Sequence, residues 1–151
     1  MVTLKKGDAA PKFSANDQHG KLVSLEALKG KKVVLYFYPK DDTPGCTAEA
    51  CNLRDNYEEL LKKEYQIVGV SPDSLKSHEK FTEKYELPFS LLPDTEKEII
   101  KAYGAWGPKK FMGKSYEGVL RSTFVIDENS LIEKVFTQVD TKNHTEQILK
   151  G

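Results

Sequence analysis

The chain has two cysteines, Cys46 and Cys51, and both follow a short segment that joins an apolar run to a helical pattern. Thr43 is a favourable residue for a helix N-cap, and Pro44 then occupies the first helical position, where its missing N–H costs nothing. Cys46 therefore falls in the first turn of the predicted helix. Unpaired backbone N–H groups and the positive end of the helix dipole surround such a position. These surroundings favour the thiolate, which is the nucleophilic form of cysteine.

Other uses of a cysteine pair fit the sequence less well. A free cysteine is often a small buried hydrophobic residue, but burial alone does not require the Thr-Pro-Gly that precedes Cys46. Structural zinc usually needs four cysteine or histidine ligands at short spacings, and the histidines are scattered at His19, His78 and His144. A thioredoxin-type site would want Cys-x-x-Cys, whereas four residues separate this pair. A cysteine–histidine hydrolase is a further alternative, and it would need a histidine oriented on Cys46.

The residues before Cys46 form a specific motif, because Pro39, Thr43 and Cys46 have the spacing Pro-x-x-x-Thr-x-x-Cys. This motif resembles the active-site signature of peroxiredoxins, which are thiol peroxidases on a thioredoxin-like fold. Cys51 lies five residues beyond Cys46, as in the peroxiredoxin Q (bacterioferritin comigratory protein) branch. The resemblance covers nearly the whole chain and includes Arg121, which precedes a predicted central strand.

The resemblance implies a role for each of these residues. Cys46 would attack a hydroperoxide and become a sulfenic acid, and Cys51 would condense with it as a disulfide. A thioredoxin-like dithiol protein would restore both cysteines. The Thr43 hydroxyl, the Cys46 backbone N–H and the Arg121 guanidinium would stabilise the two peroxide oxygens in the transition state. Pro39 would shield the sulfur from water, and no metal, haem or flavin would be required.

Glu49 is a candidate to support Arg121. It lies one helical turn beyond Cys46, and from there its carboxylate could hold the guanidinium in place. The alternative is that Glu49 lies on a solvated face of the helix.

The spacing of the cysteines predicts a local conformational change. Five residues of α-helix rise about 7.5 Å, which places the Cα atoms of Cys46 and Cys51 roughly 8–9 Å apart. A disulfide requires about 4.4–6.8 Å between Cα atoms. We therefore expect roughly residues 43–54 to unwind after oxidation and to rewind on reduction. Gly45 and the polar Asn52 favour unwinding in this part of the helix.

A redox-sensing binding protein is an alternative function from a different class. In that case the Cys46–Cys51 pair would be a switch, and the exposed motif loop would contact a partner. The same residues would serve both functions, so the sequence does not distinguish an enzyme from a sensor. The number of catalytic turnovers does. An enzyme consumes peroxide repeatedly, whereas a sensor is oxidised once.

Composition and charge favour one soluble domain without a nucleic-acid or membrane partner. A chain of 151 residues suits a single domain, 1–151, that buries a hydrophobic core. Lys+Arg and Asp+Glu are both 23, so the chain lacks the basic excess typical of proteins that bind nucleic acids or anionic membranes. Neither a bilayer-spanning apolar run nor a signal peptide is evident, so we expect a cytoplasmic protein. The chain also lacks a late cysteine that could act across a dimer, which favours an intramolecular cycle in a monomer or weak dimer.

The apolar pattern predicts an α/β protein of the thioredoxin-like class, with a central mixed β-sheet flanked by helices and an N-terminal β-hairpin extension. Strands or extended segments are predicted at 12–15, 22–25, 33–38, 66–71, 87–93, 122–127 and 131–139. Helices are predicted at 26–28, from the motif to about 63, at 74–85, after a capping box formed by Thr95 and Glu98, and at 141–150. Residues 104–117 are predicted to be a long ordered loop, with Trp106, Phe111 and Met112 packed in the core. The alternative is that these three side chains form one wall of the active-site pocket.

Overall fold

The computed structural model describes residues 2–151, and Met1 lies outside that range. Within it, the strands are Ser14–Asn16 (β1), Leu22–Ser24 (β2), Lys32–Phe37 (β3), Tyr65–Ser71 (β4), Ser90–Pro93 (β5), Trp106–Phe111 (β6), Lys114–Val119 (β7), Ser122–Ile126 (β8) and Ile132–Phe136 (β9). The helices of the same range are Pro44–Asp55 (α1), Tyr57–Lys62 (α2), Leu75–Tyr85 (α3), Glu98–Ala102 (α4) and His144–Lys150 (α5). The predicted α/β class is confirmed.

Strand β3 is the centre of the sheet and leads directly into the motif. Among residues 2–151 the central sheet has the strand order β5–β4–β3–β8–β9. Strand β3 pairs in parallel with β4 and antiparallel with β8, so the sheet is mixed, as predicted. The parallel pairing follows from the helical crossover through α1 and α2. The register Phe37↔Ser122 brings the residue before β8, Arg121, beside the C-terminal end of β3.

Both faces of β3 are buried, as its continuous apolar run predicts. Alternate side chains of the strand belong to two separate hydrophobic cores. One core includes side chains from α4 and from the N-terminal hairpin. The other includes side chains from α1, α2, α3 and α5, and Cys46 is one of its members. The sheet therefore separates the motif helix from the N-terminal extension.

The predicted N-terminal hairpin is confirmed, because β1 pairs antiparallel with β2. Gln18, in the turn between them, fastens the hairpin to the region of β5. Its side chain donates to the carbonyl of Phe89 at 2.9 Å and accepts from the N–H of Leu91 at 2.8 Å. No helix within residues 2–151 is long and apolar enough to cross a membrane.

Residues 104–117 contain a β-hairpin, so the prediction of a long loop is wrong. Strand β6 pairs antiparallel with β7, and Met112 and Gly113 at the turn have positive φ angles of 52° and 78°. Two positive φ values are what a two-residue hairpin turn with the right twist requires. Phe111 and Met112 at the tip are 67% and 87% exposed, so their predicted place in the core is also wrong. Trp106, at the base of the hairpin, packs against the core as expected.

The motif helix is shorter than predicted. It ends at Asp55, and α2 starts at Tyr57, whereas the prediction was one helix to about residue 63. Asn56 separates the two helices. Its side chain donates to the backbone carbonyl of Asn52 at 2.8 Å, a local bond that competes with the helical ladder.

Two further local predictions are wrong. Residues 26–28 form turns instead of a helix. Helix α4 is preceded by Lys97 in the left-handed conformation, so Thr95 is not its N-cap. The carboxylate of Asp94 accepts from the backbone N–H of Ile100 at 2.8 Å and stabilises this helix start instead. A contact of this kind cannot be recognised from the capping-box spacing of Thr95 and Glu98.

Candidate active site

The first turn of α1 presents Cys46 at the end of the central strand. Thr43 is the N-cap and Pro44 begins the helix, as predicted. The bond from Thr47 N to Thr43 O, at 2.8 Å, opens the helical ladder. The N–H groups of Gly45 and Cys46 therefore precede the ladder and are available to a ligand. The positive end of the helix dipole lies at the same place.

Thr43 and Pro39 lie in the loop between β3 and α1, and both are half-buried. The Thr43 hydroxyl donates to the carbonyl of Lys40 at 2.8 Å, so its proton serves the loop. The oxygen of this hydroxyl keeps its lone pairs, and it can accept a hydrogen bond from a bound molecule.

Arg121 reaches Cys46 from the segment before β8. Its Nη2 donates to Cys46 Sγ at 3.2 Å, and the cysteine is 1% exposed. Burial alone would lower the pKa of Arg121, but the neighbouring Cys46 and Glu49 raise it, so the guanidinium stays charged. A Cβ at Gly45 would lie 3.2 Å from Arg121 Nη2, which explains why a residue without a side chain precedes Cys46. The structure thus brings together the predicted cysteine and the predicted cation.

Glu49 holds the other side of the same guanidinium. Arg121 Nη1 donates to Glu49 Oε1 at 2.7 Å, and the Glu49 side chain is fully buried. The alternative of a solvated helix face is therefore wrong. Burial raises the pKa of Glu49 to about 7, although the charge and hydrogen bond of Arg121 oppose the shift. Along residues 2–151, the buried side-chain polar atoms that lack a hydrogen-bond partner are Glu49 Oε2 and the Tyr36 hydroxyl.

His144, on α5, lies next to Glu49. Its Nε2 is 3.6 Å from Glu49 Oε2 and 2.7 Å from Thr123 Oγ1, and its Nδ1 is 2.8 Å from Gln147 Oε1. Burial lowers the pKa of His144, which favours the neutral ring, although the bond to Gln147 opposes the shift. The sequence indicated His144 only as a conceivable base for Cys46. Its place beside Glu49 depends on the docking of α5, which no local pattern predicts.

The remaining histidines have contacts elsewhere. His19 is exposed in the N-terminal hairpin. His78 is buried, with Nδ1 2.7 Å from Asp41 Oδ2 and Nε2 3.1 Å from the carbonyl of Leu92. These contacts do not provide the orientation on Cys46 that a cysteine–histidine hydrolase needs.

Asp41 fixes the motif loop through several hydrogen bonds. Its carboxylate accepts from the Tyr38 hydroxyl at 2.6 Å and from the Ser77 hydroxyl at 2.8 Å, in addition to its contact with His78. Ligand atoms of Asp41, Asp73 and His78 lie within 4.8 Å of one another, a spacing that a metal ion could use. Each of these groups is already engaged by its neighbours, so the cluster is explained by its role in the loop.

Cys51 is in the second half of α1, half-buried, and both cysteines are free thiols. Burial raises the pKa of the Cys51 thiol, which favours its protonated form. Helix α1 is continuous from Pro44 to Asp55. The structure therefore holds the two cysteines on one intact helix, five residues apart.

The sequence and the fold are similar to those of known thiol peroxidases. Residues 6–135 match the AhpC/TSA family. The chain is 46% identical to "Peroxiredoxin Bcp" of Escherichia coli (strain K12) over 149 residues, which cover 99% of this chain and 96% of that protein. It is also 46% identical to "Peroxiredoxin Bcp" of Bacillus subtilis (strain 168), over 99% of this chain and 95% of that protein. A solved structure of the bacterioferritin comigratory protein of Xanthomonas campestris, reported for insights into its alkyl peroxide reduction activity, has a TM-score of 0.87 and 31% identity, over 99% of this chain and 96% of that chain.

Proposed function

Because the chain belongs to the AhpC/TSA family and is a peroxidase of the peroxiredoxin type, we propose that Cys46 is the sulfur that its peroxide substrates oxidise. The observation that carries this assignment is the 3.2 Å contact between Arg121 Nη2 and Cys46 Sγ at the buried start of α1. A fixed positive charge and unpaired N–H groups both stabilise a thiolate at that position. The substrates are hydrogen peroxide and organic hydroperoxides.

In the first step the Cys46 thiolate attacks one peroxide oxygen. The S–O bond forms, the O–O bond breaks, and the electron pair of that bond leaves with the departing oxygen. The Arg121 guanidinium and the Cys46 N–H can donate to the oxygens as negative charge develops there. Thr43 Oγ1 already donates to Lys40 and is suited to accept the O–H of the peroxide. Pro39, in the same loop, shields the sulfur from water.

In the second step Cys51 attacks the Cys46 sulfenic acid, so that a disulfide forms and water leaves. A thiol on the continuous helix α1 cannot reach Cys46, because helical geometry places the two Cα atoms too far apart for a disulfide. The proposal therefore requires α1 to unwind locally between the two cysteines. Asn52 makes that opening harder than the sequence suggests. Its side chain donates to the carbonyl of Lys142 at 2.9 Å and accepts from the N–H of Thr145 at 2.8 Å.

A thioredoxin-like dithiol protein then reduces the disulfide and restores both thiols. The cycle is intramolecular, so it needs no residue from a second copy and suits a monomer or weak dimer. It also suits one domain, 1–151, in the cytoplasm, where dithiol reductants keep protein thiols reduced.

The test is peroxide consumption with dithiothreitol and then with a thioredoxin system. We expect many turnovers with both reductants, whereas a single stoichiometric oxidation would support a redox sensor. Cys46→Ser should abolish consumption. Cys51→Ser should complete its first oxidation, retain a sulfenic acid and lose thioredoxin-linked recycling. Substantial activity in Cys46→Ser would move the reactive sulfur to Cys51, and normal recycling in Cys51→Ser would remove its resolving role.

A further inference from the structure

We propose that Glu49 is a redox-linked proton site, which holds a proton while Cys46 is a thiolate and gives it up when Cys46 is oxidised. The inference rests on the proposed function, because it requires Cys46 to be the sulfur that peroxide oxidises. Glu49 does not contact that sulfur in this scheme. It acts through Arg121 and is a positioning residue.

One buried cation, Arg121, serves two acidic groups. Arg121 Nη1 donates to Glu49 Oε1 at 2.7 Å, while Nη2 of the same guanidinium donates to Cys46 Sγ at 3.2 Å. The Cys46 sulfur and the Glu49 carboxyl are both shielded from water. Two negative charges on one positive charge leave a net negative charge in a poorly solvated site, and this disfavours ionisation of the second group. Glu49 therefore keeps its proton while Cys46 is a thiolate.

The position of the Glu49 proton follows from the partners of the two carboxyl oxygens. Oε1 accepts from Arg121, so the proton belongs on Oε2, the oxygen that lacks a hydrogen-bond partner among the described residues. Its neighbour is His144 Nε2, at 3.6 Å. Gln147 Oε1 accepts from the N–H of Asp140 and also faces His144 Nδ1, which must therefore carry the ring hydrogen. His144 Nε2 then carries no hydrogen and accepts from the Thr123 hydroxyl at 2.7 Å, so it offers Glu49 Oε2 no donor.

Apart from Arg121, the titratable neighbours of Glu49 carry no positive charge that could compensate an ionised Oε2. The titratable groups that face Glu49 are Tyr36 from β3, Cys46 from α1, His144 from α5 and Arg121. Burial raises the pKa of Tyr36 well above its usual value, so its hydroxyl is neutral. Burial lowers the pKa of His144, so its ring is also neutral. An ionised Oε2 would be a buried anionic oxygen without a donor, which agrees with the pKa of about 7 at Glu49.

Oxidation of Cys46 removes the competing anion. The thiolate charge leaves with the departing alkoxide or hydroxide, and Arg121 is then neutralised by Glu49 alone among these groups. Glu49 ionises, and its proton neutralises the departing oxygen through solvent. Thiolate, peroxide and carboxylic acid thus give sulfenic acid, alcohol or water, and carboxylate. When a reductant restores the thiolate, Glu49 takes up a proton again.

The test counts protons during a single oxidation. In a Cys51→Ser background the reaction stops at the sulfenic acid, and Glu49→Gln can be added there. Glutamine has the same shape as the protonated carboxyl. Its side-chain oxygen can still accept a hydrogen bond from Arg121. Each protein is oxidised with one equivalent of hydrogen peroxide in weak buffer with a pH indicator. Mass spectrometry counts the oxidised Cys46, and ultraviolet absorbance confirms that both proteins start as thiolates.

We expect Glu49→Gln to take up about one proton per oxidised sulfur, because the departing hydroxide has no other local acid. The protein with Glu49 should take up less, with the largest deficit near pH 7. The deficit should vanish well below that pH, where Glu49 keeps its proton in both forms, and well above it, where Glu49 is ionised in both. Equal proton uptake at every pH would overturn the proposal. A failure of Cys46 to oxidise would count against the proposed function instead.

An infrared difference spectrum gives a second test. Oxidised minus reduced spectra in the Cys51→Ser background, where α1 is not required to unwind, should show loss of a protonated-carboxyl band. The band should be absent from the difference spectrum of Glu49→Gln. Glu146→Gln is the matched control, because Glu146 is exposed and paired with Lys150, and it should leave the band unchanged. A spectrum without the band, or a band that persists in Glu49→Gln, would contradict the assignment.

Discussion

Arg121 is the shared hydrogen-bond partner of two side chains that are buried away from water. It lies one residue before β8, and the register of β8 with β3 holds its backbone beside the motif. Its planar guanidinium offers separate N–H groups to Glu49 and Cys46 at fixed angles, which a lysine ammonium would not. The Arg121 side chain is 23% exposed, so part of it remains in contact with solvent.

Replacement of this guanidinium is the sharpest test at the scale of a single residue. Arg121→Met keeps much of the apolar stem but removes the charge and both donors. We expect oxidation of Cys46 by hydrogen peroxide to slow by on the order of 10²-fold or more, the scale seen when one oxyanion donor is lost. The thiolate absorbance of Cys46 should also appear only at higher pH. Stopped-flow peroxide kinetics and an absorbance titration would measure the two effects.

Arg54→Met is the matched control for Arg121→Met. Arg54 pairs with Asp55 and donates to the carbonyl of Tyr85, away from Cys46. The first oxidation of Cys46 should be unaffected in this variant. If Arg121→Met behaves like Arg54→Met in both measurements, Arg121 is a structural residue.

The sequence predicts some of these residues and not their partners. The position of Cys46 at a helix start follows from Thr43 and Pro44, because capping is a local property of the chain. The burial of Glu49 does not follow, since helical spacing places it near Cys46 but cannot say which helix face is covered. The neighbour of Glu49, His144, comes from a helix almost a hundred residues away in sequence. Such a pairing depends on the packing of α5 against α1, for which the sequence carries no local signal.

The loop between β3 and α1 is held against α3 by hydrogen bonds. Asp42 has a positive φ of 58° and accepts from Lys84 at 2.8 Å and from the Tyr85 hydroxyl at 2.7 Å. Asp41 accepts from Ser77 on the same helix. The start of α1 is thus supported by two neighbouring carboxylates that face α3. Opening of α1 is therefore expected to begin beyond these contacts, between the two cysteines.

Amide hydrogen exchange on the reduced and disulfide forms tests this opening. We expect residues 46–54 to lose protection in the oxidised form, because a helix cannot bring the two sulfurs together. Strand β3 should keep its protection, since its pairing with β4 and β8 does not involve the disulfide. Equal protection of residues 46–54 from hydrogen exchange in both forms, with the disulfide confirmed by mass spectrometry, would contradict the proposal of local unwinding.

The β6–β7 hairpin is an element that the sequence pattern does not predict. Its strands contain Gly107, Pro108 and Gly118, which are typical of loops and mask the alternation that marks a strand. The hairpin is also mostly exposed, so burial does not impose a two-residue apolar period on it. By contrast, β3 and β4 are buried on both faces and appear in the sequence as continuous apolar runs. Elements that build the core were therefore predictable, and the surface hairpin was not.

Glu49 should make the stability of the protein depend on pH. Its pKa is raised from 4.5 to about 7 in the folded protein, so between these values the folded state binds more protons than the unfolded state. The free energy of unfolding should therefore fall as pH rises from 4.5 to about 7, by on the order of 2–3 kcal/mol from this group. His144 acts in the opposite direction, because its pKa is lowered on folding.

Urea unfolding of the reduced natural chain and of Glu49→Gln at a series of pH values isolates this contribution. The difference in unfolding free energy should decline across the same interval, since His144 is present in both proteins and cancels. Glu146→Gln, an exposed change of the same chemistry, should give a difference that is flat with pH. A flat difference for Glu49→Gln as well would show that the carboxyl titrates alike in folded and unfolded chains.

Asn52 has a consequence for the lifetime of the protein in a cell. Its side chain bonds to Lys142 and Thr145, and so it holds the start of α5 against α1. A helix of seven residues does not persist in water without such support. Molecules stalled as disulfides, when reductant is scarce, would present a loosened C-terminal segment, and proteases cut such segments first. Molecules left in the disulfide form would then be degraded before reduced ones. The rate at which the protein is degraded would therefore rise with the concentration of oxidant.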